Sequence, residues 1–184
     1  MKNTFILIWE ITKIVIVALL VVLPIRYFVF QPFFVRGASM EPNFYGSDYL
    51  IIDEISYRFQ EPQRGEVIVF KYPYNPSQRY LKRIIGLPYE TVEIKDGKIV
   101  IYRQGQAEIL DESGYLPQSA ETRGEERVAL GQDEYFVLGD NRLVSSDSRS
   151  WGLLPKKDIV GRVIFRAWPF AALAKIDVPA YESR

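Results

Sequence analysis

Residues Ile11 to Phe30 read ITKIVIVALLVVLPIRYFVF, and the centre of that run, Ile14 to Ile25, carries no charge. At 1.5 Å per residue such a helix is about 30 Å long, the thickness of a bilayer's hydrocarbon core. One N-terminal transmembrane helix is expected. Lys13 and Arg26 lie where their stems can carry charge to the headgroups, Trp9 and Tyr27 suit the interfaces, and Pro24 is close enough to the far end to be tolerated. A cleaved secretion signal would lead into small residues, whereas Arg26, Tyr27 and Phe28 follow here. A buried helix in a soluble fold would need a second apolar helix to cover it, and the sequence has none. Residues 1–30 are therefore read as an anchor segment and 31–184 as one domain, since 184 residues are too few for two ordinary ones. Charge leaves the orientation open, because Lys2 and Lys13 on one side face Arg26 and Arg36 on the other.

Beyond the anchor the apolar pattern has a period of two. Strands are expected at Tyr49 to Ile55, Glu66 to Lys71, Tyr80 to Ile85, Thr91 to Lys95, Lys98 to Tyr102, Glu134 to Leu138 and Val160 to Arg166, each rich in Val, Ile, Phe or Tyr. Asp96-Gly97 between two alternating runs is the strongest hairpin signal in the chain. The fold class is mostly β, with antiparallel sheets forming a sandwich or open barrel. One stretch breaks the pattern. Glu108 to Glu126 carries Glu108, Asp111, Glu112, Glu121, Glu125 and Glu126 against Arg123 alone, and reads as a solvated, mobile acidic insertion at about 103–127 with no chemistry assigned.

The chain has 23 Lys+Arg and 23 Asp+Glu, hence zero formal charge, and no His and no Cys. A neutral chain has no field to hold a phosphate backbone, so no nucleic-acid partner is expected. Removing Lys2, Lys13, Arg26 and Glu10 leaves 20 basic and 22 acidic residues downstream, which is not a polybasic membrane-surface domain. Without His and Cys there is no thiol nucleophile, no Ser-His-Asp triad and no Cys/His zinc site, and neither cofactor nor metal is expected. A hydroxyl nucleophile then needs another base, and lysine is the common remaining choice.

Three segments are candidates. Ser39 lies in Val35-Arg36-Gly37-Ala38-Ser39-Met40-Glu41-Pro42, where small neighbours allow another chain to approach, although a serine beside a glycine is also an ordinary turn residue. Lys82 lies in Arg79-Tyr80-Leu81-Lys82-Arg83-Ile84-Ile85-Gly86. Strand alternation puts it on one face with Tyr80 and Ile84, where desolvation would lower its pKa, although strand lysines are more often exposed. Lys71, at a strand end, is its exposed counterpart. The third segment, Gly139 to Gly152, gathers Asp140, Arg142, Ser145, Asp147 and Arg149 in one loop, and is either a set of positioning groups or an Asx-rich turn.

Taken together, Ser39-Met40-Glu41-Pro42 after an anchor, Arg64 to Pro73, Lys82-Arg83-Ile84-Ile85-Gly86-Leu87-Pro88, Gly139-Asp140-Asn141-Arg142, Ser145-Ser146-Asp147-Ser148-Arg149 and Trp151-Gly152 resemble, in order, the boxes of bacterial type I signal peptidase. The resemblance runs from the anchor to about Phe165 and implies a membrane-anchored serine endopeptidase that removes signal peptides from exported preproteins after small residues of Ala-x-Ala type. It makes Ser39 the nucleophile and neutral Lys82 the general base. An acyl-enzyme forms and lysine-activated water then hydrolyses it. Ser145 would orient the amine, with Asp147, Arg149 and Arg83 as support. The Ser39 amide would donate to the oxyanion, but where some members carry a second hydroxyl donor this chain has Gly37, and a backbone amide is the expected substitute. Substrate would lie as an added strand against Phe33, Phe34, Val35 and Arg36 on one side and Tyr80 and Leu81 on the other. The implied partners are signal peptides and the lipid bilayer. The implied location is the cell membrane, single-pass, with the catalytic domain outside the cytoplasm; the oligomeric state is left open. A different class, an anchored β module that binds export substrates without cutting them, would tolerate loss of Ser39 and Lys82.

The chain departs from the pattern at Tyr89-Glu90, where Gly-Asp is usual, at Leu143 and Val144, where polar residues are common, and at Glu41, whose charge would tend to raise the lysine pKa. Phe28, Phe30, Phe33, Phe34, Phe44 and Tyr45 gather around the anchor's exit and are expected either to sit at a bilayer surface or to join the core.

Overall fold

The computed structural model describes residues 2–28, 30–179 and 181, with side chains described for 6–20, 31–179 and 181. A helix, α1 (Lys2–Phe28), leads into the domain, and its side chains from 6 to 20 are all exposed. Among the described residues no helix is long and apolar enough to cross a membrane. The expected anchor covers 11–30, and its side chains from 21 onward lie outside the described residues. The stretch 6–20 alone would be about 22 Å of helix, short of a core about 30 Å thick.

The domain is antiparallel β structure in two sheets. The larger runs, in spatial order, β1 (Phe30–Phe34), β2 (Tyr49–Asp53), β11 (Ile159–Trp168), β3 (Val67–Tyr72), β4 (Asn75–Gly86), β9 (Glu134–Leu138) and β10 (Leu154–Pro155), with β12 (Ala174–Lys175) beside β11. The smaller runs β7 (Gln106–Ile109), β6 (Lys98–Arg103), β5 (Thr91–Lys95) and β8 (Glu126–Ala129). The Asp96-Gly97 signal is read correctly: both residues have positive φ, 51° and 73°, and Lys95 pairs with Lys98. That geometry matches the right-handed twist of the strands, and glycine takes it without strain. Gln104 and Gly105 repeat it, at 51° and 81°, and turn β6 into β7, a strand the apolar pattern did not signal because all four of its residues are exposed.

The larger sheet curls. Val35, just past the outer strand β1, and Leu81 on β4 belong to one core with Met40, Phe44, Leu50, Ile52, Val67, Val69 and Val163, and Arg79 donates to Gln31 at 3.2 Å across the gap. On the opposite face of β3, β4 and β9, Ile68, Phe70, Ile84, Tyr135, Val137 and Trp151 form a second core. Ile85, Phe136 and Leu138 join the smaller sheet through a third. Fully burying each such aliphatic side chain contributes about 1.5–3 kcal/mol, so these three clusters hold the strands in place.

Three expectations differ from what is observed. The strand expected at Tyr80 to Ile85 is the buried end of a longer one that begins at Asn75, whose exposed half gave no apolar alternation. Tyr49 to Ile55 stops at Asp53, whose carboxylate accepts from the Ile55 and Ser56 amides and turns the chain into a short 3-10 helix. The acidic stretch 108–126 is not simply solvated: Leu110, Leu116 and Thr122 are buried, and the Thr122 amide donates to the Gly97 carbonyl at 3.0 Å.

Candidate active site

After β1 the chain makes a tight turn. The amides of Asn43 and Phe44 donate to the Met40 carbonyl at 3.1 and 2.9 Å, and Glu41 donates to Ala38 at 3.2 Å. Met40 and Phe44, four residues apart, therefore drop into the same core at 1% and 2% exposure, leaving Ser39 on the opposite side of the turn. Gly37 has φ +80°, a region L side chains rarely adopt, although a Cβ there would meet open space. The backbone, not crowding, accounts for this glycine.

Opposite that turn stands β4. In its register with β3, Lys82 faces Ile68, and Lys82 is 3% exposed although charged side chains are almost never so buried without a partner. Its Nζ lies 2.8 Å from Ser39 Oγ and donates to the Leu81 carbonyl at 2.9 Å. The Tyr80 ring centroid is 5.6 Å from Nζ, as the expected sharing of a face requires. Burial pushes the Lys82 pKa down to about 8 against the opposing pull of the Asp147 and Asp140 carboxylates. Lys71, the comparison residue, is exposed.

The loop after β9 locks the two together. Gly139 packs so closely that a Cβ there would overlap Ser145 Oγ and the Ser39 carbonyl oxygen. Asn141 clamps the Ser39 turn, its amide donating to the Ser39 carbonyl at 3.0 Å and its Nδ2 to the Ala38 carbonyl at 3.1 Å. Asp147, fully buried, takes both Nε and Nη2 of Arg149 at 2.8 Å and the Gly139 amide at 3.1 Å; it also caps the short helix α2 (Ser148–Trp151). Arg83, next to the lysine but on the other face, makes a two-point pair with Asp140 at 2.9 and 2.7 Å. Ser145 Oγ is buried, and among the described residues it has no hydrogen-bond partner.

Two strand edges near this site are unused. Among the described residues β1 bonds only to β2, and β9 joins β4 only from Arg83 onward, so the stretch of β4 before it is bonded to β3 alone. Between them runs a groove of about 910 Å³, lined by Phe33, Val35, Ala38, Ser39, Tyr80, Leu81 and Lys82 and closed by Val144 and Ser146. Phe34, Arg36 and Gly37 border it too, so every residue expected to touch substrate or the oxyanion is gathered here. Of the aromatic residues near the expected anchor, Phe44 is core and Phe33 is partly buried, whereas Phe34 and Tyr45 are exposed; the side chains of Phe28 and Phe30 lie outside the described residues.

Reading the sequence for chemistry grouped Asp140 and Arg142 with the positioning loop without naming their partners and gave no role to Asn141, and no signal pointed to Asn43, Glu112 or Tyr115. Asn43 Nδ2 bridges Asp140 Oδ2 and the Tyr115 carbonyl, each at 2.8 Å. These partners are separated by 97 and 72 residues, so local spacing could not reveal them.

The chain matches the family model described as "Signal peptidase, peptidase S26" over residues 8–168. It is 38% identical to the Probable signal peptidase I-1 of Synechocystis sp. over 172 residues, 88% of this chain and 85% of that one. It is 36% identical to the signal peptidase I of Leptolyngbya laminosa, covering 91% and 83%. With the signal peptidase I of Bacillus caldolyticus the identity is 37%, over 86% of this chain and 90% of the relative. With those identities over most of both chains, this chain belongs to the signal peptidase family, peptidase S26, and is a serine endopeptidase.

Proposed function

We propose that the protein cleaves signal peptides from exported preproteins with Ser39 as nucleophile and neutral Lys82 as general base. One observation carries this reading: an amine 3% exposed lies 2.8 Å from a serine hydroxyl in a chain without histidine. With the amine unprotonated, Ser39 O–H donates to Nζ, and as Oγ attacks the carbonyl carbon the proton passes to Nζ. The Ser39 amide, which donates to no group among the described residues, is left free to bind the oxyanion; Gly37 can add only its backbone. The protonated amine then gives its proton to the leaving nitrogen, and the neutral amine activates water against the acyl-enzyme. Ser145, with its hydroxyl buried and free, is the group to steady the amine during these transfers, while Asp147, Arg149 and Arg83 hold the surrounding loop and strand.

The two unpaired strand edges favour an extended peptide added as a strand, bonded to the 33–36 and 80–81 backbones. The groove's floor, with Val35 and Leu81 already in the core, leaves shallow space for alternate side chains, which suits the Ala-x-Ala pattern before the cut. The uncovered apolar face of α1, with Ile6, Leu7, Ile14, Val17 and Leu20 all about half or more exposed, supports a single membrane anchor. The catalytic domain would stand on the outer side of the cell membrane, where preproteins emerge, with Phe34 and Tyr45 beside the lipid.

The test is cleavage of an Ala-x-Ala preprotein by the full chain, with the cut mapped by mass spectrometry. Ser39→Ala and Lys82→Ala must each abolish cleavage while leaving the fold intact by circular dichroism; cleavage surviving either change refutes the dyad. Reconstitution in vesicles checks the anchor separately: a protein that washes off with high salt or carbonate has none.

A further inference from the structure

We infer that Glu112 and Tyr115, in the acidic segment between β7 and β8, are positioning residues for the Ser39–Lys82 pair. The inference rests on the dyad reading above and gives a role to a segment whose composition suggested none. Three parts of the site must keep their mutual placement: the turn bearing Ser39, the strand bearing Lys82 and the loop bearing Ser145. The segment touches all three.

Glu112 binds both terminal nitrogens of Arg142, whose side chain is 2% exposed, and the same guanidinium meets the Thr122 hydroxyl. The remaining donor of Arg142, Nε, reaches the Gly139 carbonyl at 3.1 Å. Gly139 is the residue with no room for a Cβ between Ser145 Oγ and the Ser39 carbonyl, so a shift of its peptide moves directly against the nucleophile's turn. Tyr115 works on the other side. Its ring lies 4.0 Å from the Arg83 guanidinium carbon, its hydroxyl donates to Glu112, and its carbonyl takes Asn43 Nδ2, which also binds Asp140. Arg83 is therefore held between the Asp140 carboxylate and an aromatic face, with Lys82 the next residue along the strand. Glu112 and Tyr115 touch neither the groove nor the reacting atoms, so they act only through these contacts.

The experiment uses the full chain in detergent and measures kcat and KM for an Ala-x-Ala peptide, at least 15 °C below each variant's Tm, for Glu112→Gln, Glu112→Asp, Tyr115→Phe and Tyr115→Leu. Misplacement of catalytic groups by a fraction of an ångström lowers kcat on the order of tenfold or more with KM little changed. That split is expected for Glu112→Gln and Tyr115→Leu, whereas Glu112→Asp and Tyr115→Phe, which keep the carboxylate and the ring, recover most of the rate. Tyr102→Phe, which loses a part-buried bond to Glu93 within the smaller sheet, supplies the control: whatever its Tm, its kcat stays. If Glu112→Gln and Tyr115→Leu, folded, keep the parental kcat and lose only Tm, the inference is overturned. Retention of cleavage by Ser39→Ala would instead overturn the dyad, and this inference with it.

Discussion

Replacing Lys82 by methionine isolates the buried amine. The two side chains have similar length and volume, so packing against Ile68 and Tyr80 is kept and the ionisable group is removed. Burial lowers the folded pKa to about 8 from an ordinary 10.5. The unfolded chain therefore holds its proton more tightly than the folded one, and below pH 8 the wild type is destabilised by about 3 kcal/mol on this account. That penalty fades as pH climbs from 8 to 10.5 and is gone above it. Against it stand the bonds of Nζ to Ser39 Oγ and the Leu81 carbonyl, together worth about 1–2 kcal/mol. Lys82→Met is thus expected to be more stable than wild type at pH 6–7 by about 1–2 kcal/mol and less stable by a similar amount at pH 11, crossing in between. Urea unfolding of both proteins, followed by tryptophan fluorescence in the same detergent across that range, gives the difference directly, and groups common to both cancel. A difference flat with pH to within about 1 kcal/mol would show that Lys82 is not a desolvated amine, and the base assignment would fall with it.

With Lys82 as the proposed base, the same amine sets the rate. kcat/KM should rise tenfold per pH unit below about 8 and level off above it, read on a peptide without ionisable groups; a plateau extending down to pH 6 contradicts a base with that pKa. Tyr89 is an exposed aromatic at φ +66°, so Tyr89→Gly should stabilise the domain by about 1 kcal/mol after the glycine's greater chain entropy is counted, seen as a higher urea midpoint at constant slope. Asp140→Ala leaves the Arg83 guanidinium buried and unpaired, which is worth about 3–5 kcal/mol of destabilisation and a Tm lower by roughly 10 °C; Asp140→Leu with Arg83→Met should recover most of the loss. Gly139→Ala should abolish most activity by driving a methyl into Ser145 and Ser39, and full activity would mean that the loop is not held against Ser39.

What could be read from the residues was what local periodicity encodes. Alternation on β4 put Lys82 with Tyr80, and the contact is there; Asp96-Gly97 named its own turn; Tyr89, by contrast, takes φ +66° although tyrosine resists that region, so the altered turn its presence suggests is not found. What was illegible depends on distant parts of the chain. The burial of Lys82 requires the sheet to curl until Val35 and Leu81 share a core, and no pattern within either segment states that. The acidic stretch 108–126 was misjudged for the same reason. Its charge suggests solvent, yet Glu112 has a buried arginine as its partner, 30 residues on, and only the fold brings them together.

The placement of Arg149 and Arg83 accounts for how Lys82 would serve as the proposed base. Two carboxylates near the amine, Asp147 and Asp140, favour its charged form, and left alone in a dry site they would oppose the effect of burial. Each carries its own guanidinium in a two-point contact, Arg149 on Asp147 and Arg83 on Asp140, so what reaches Nζ is a dipole's field and not a full negative charge. Glu41, whose charge beside Ser39 is expected from the sequence to act the same way, is partly exposed and is not among the groups that shift the lysine. Burial then wins. On this reading the arginines do more than brace the loop: removing one would free a carboxylate toward the amine and raise its pKa, so Arg149→Met should move the rise of kcat/KM to higher pH, whereas a purely mechanical loss would lower the plateau and leave its position unchanged.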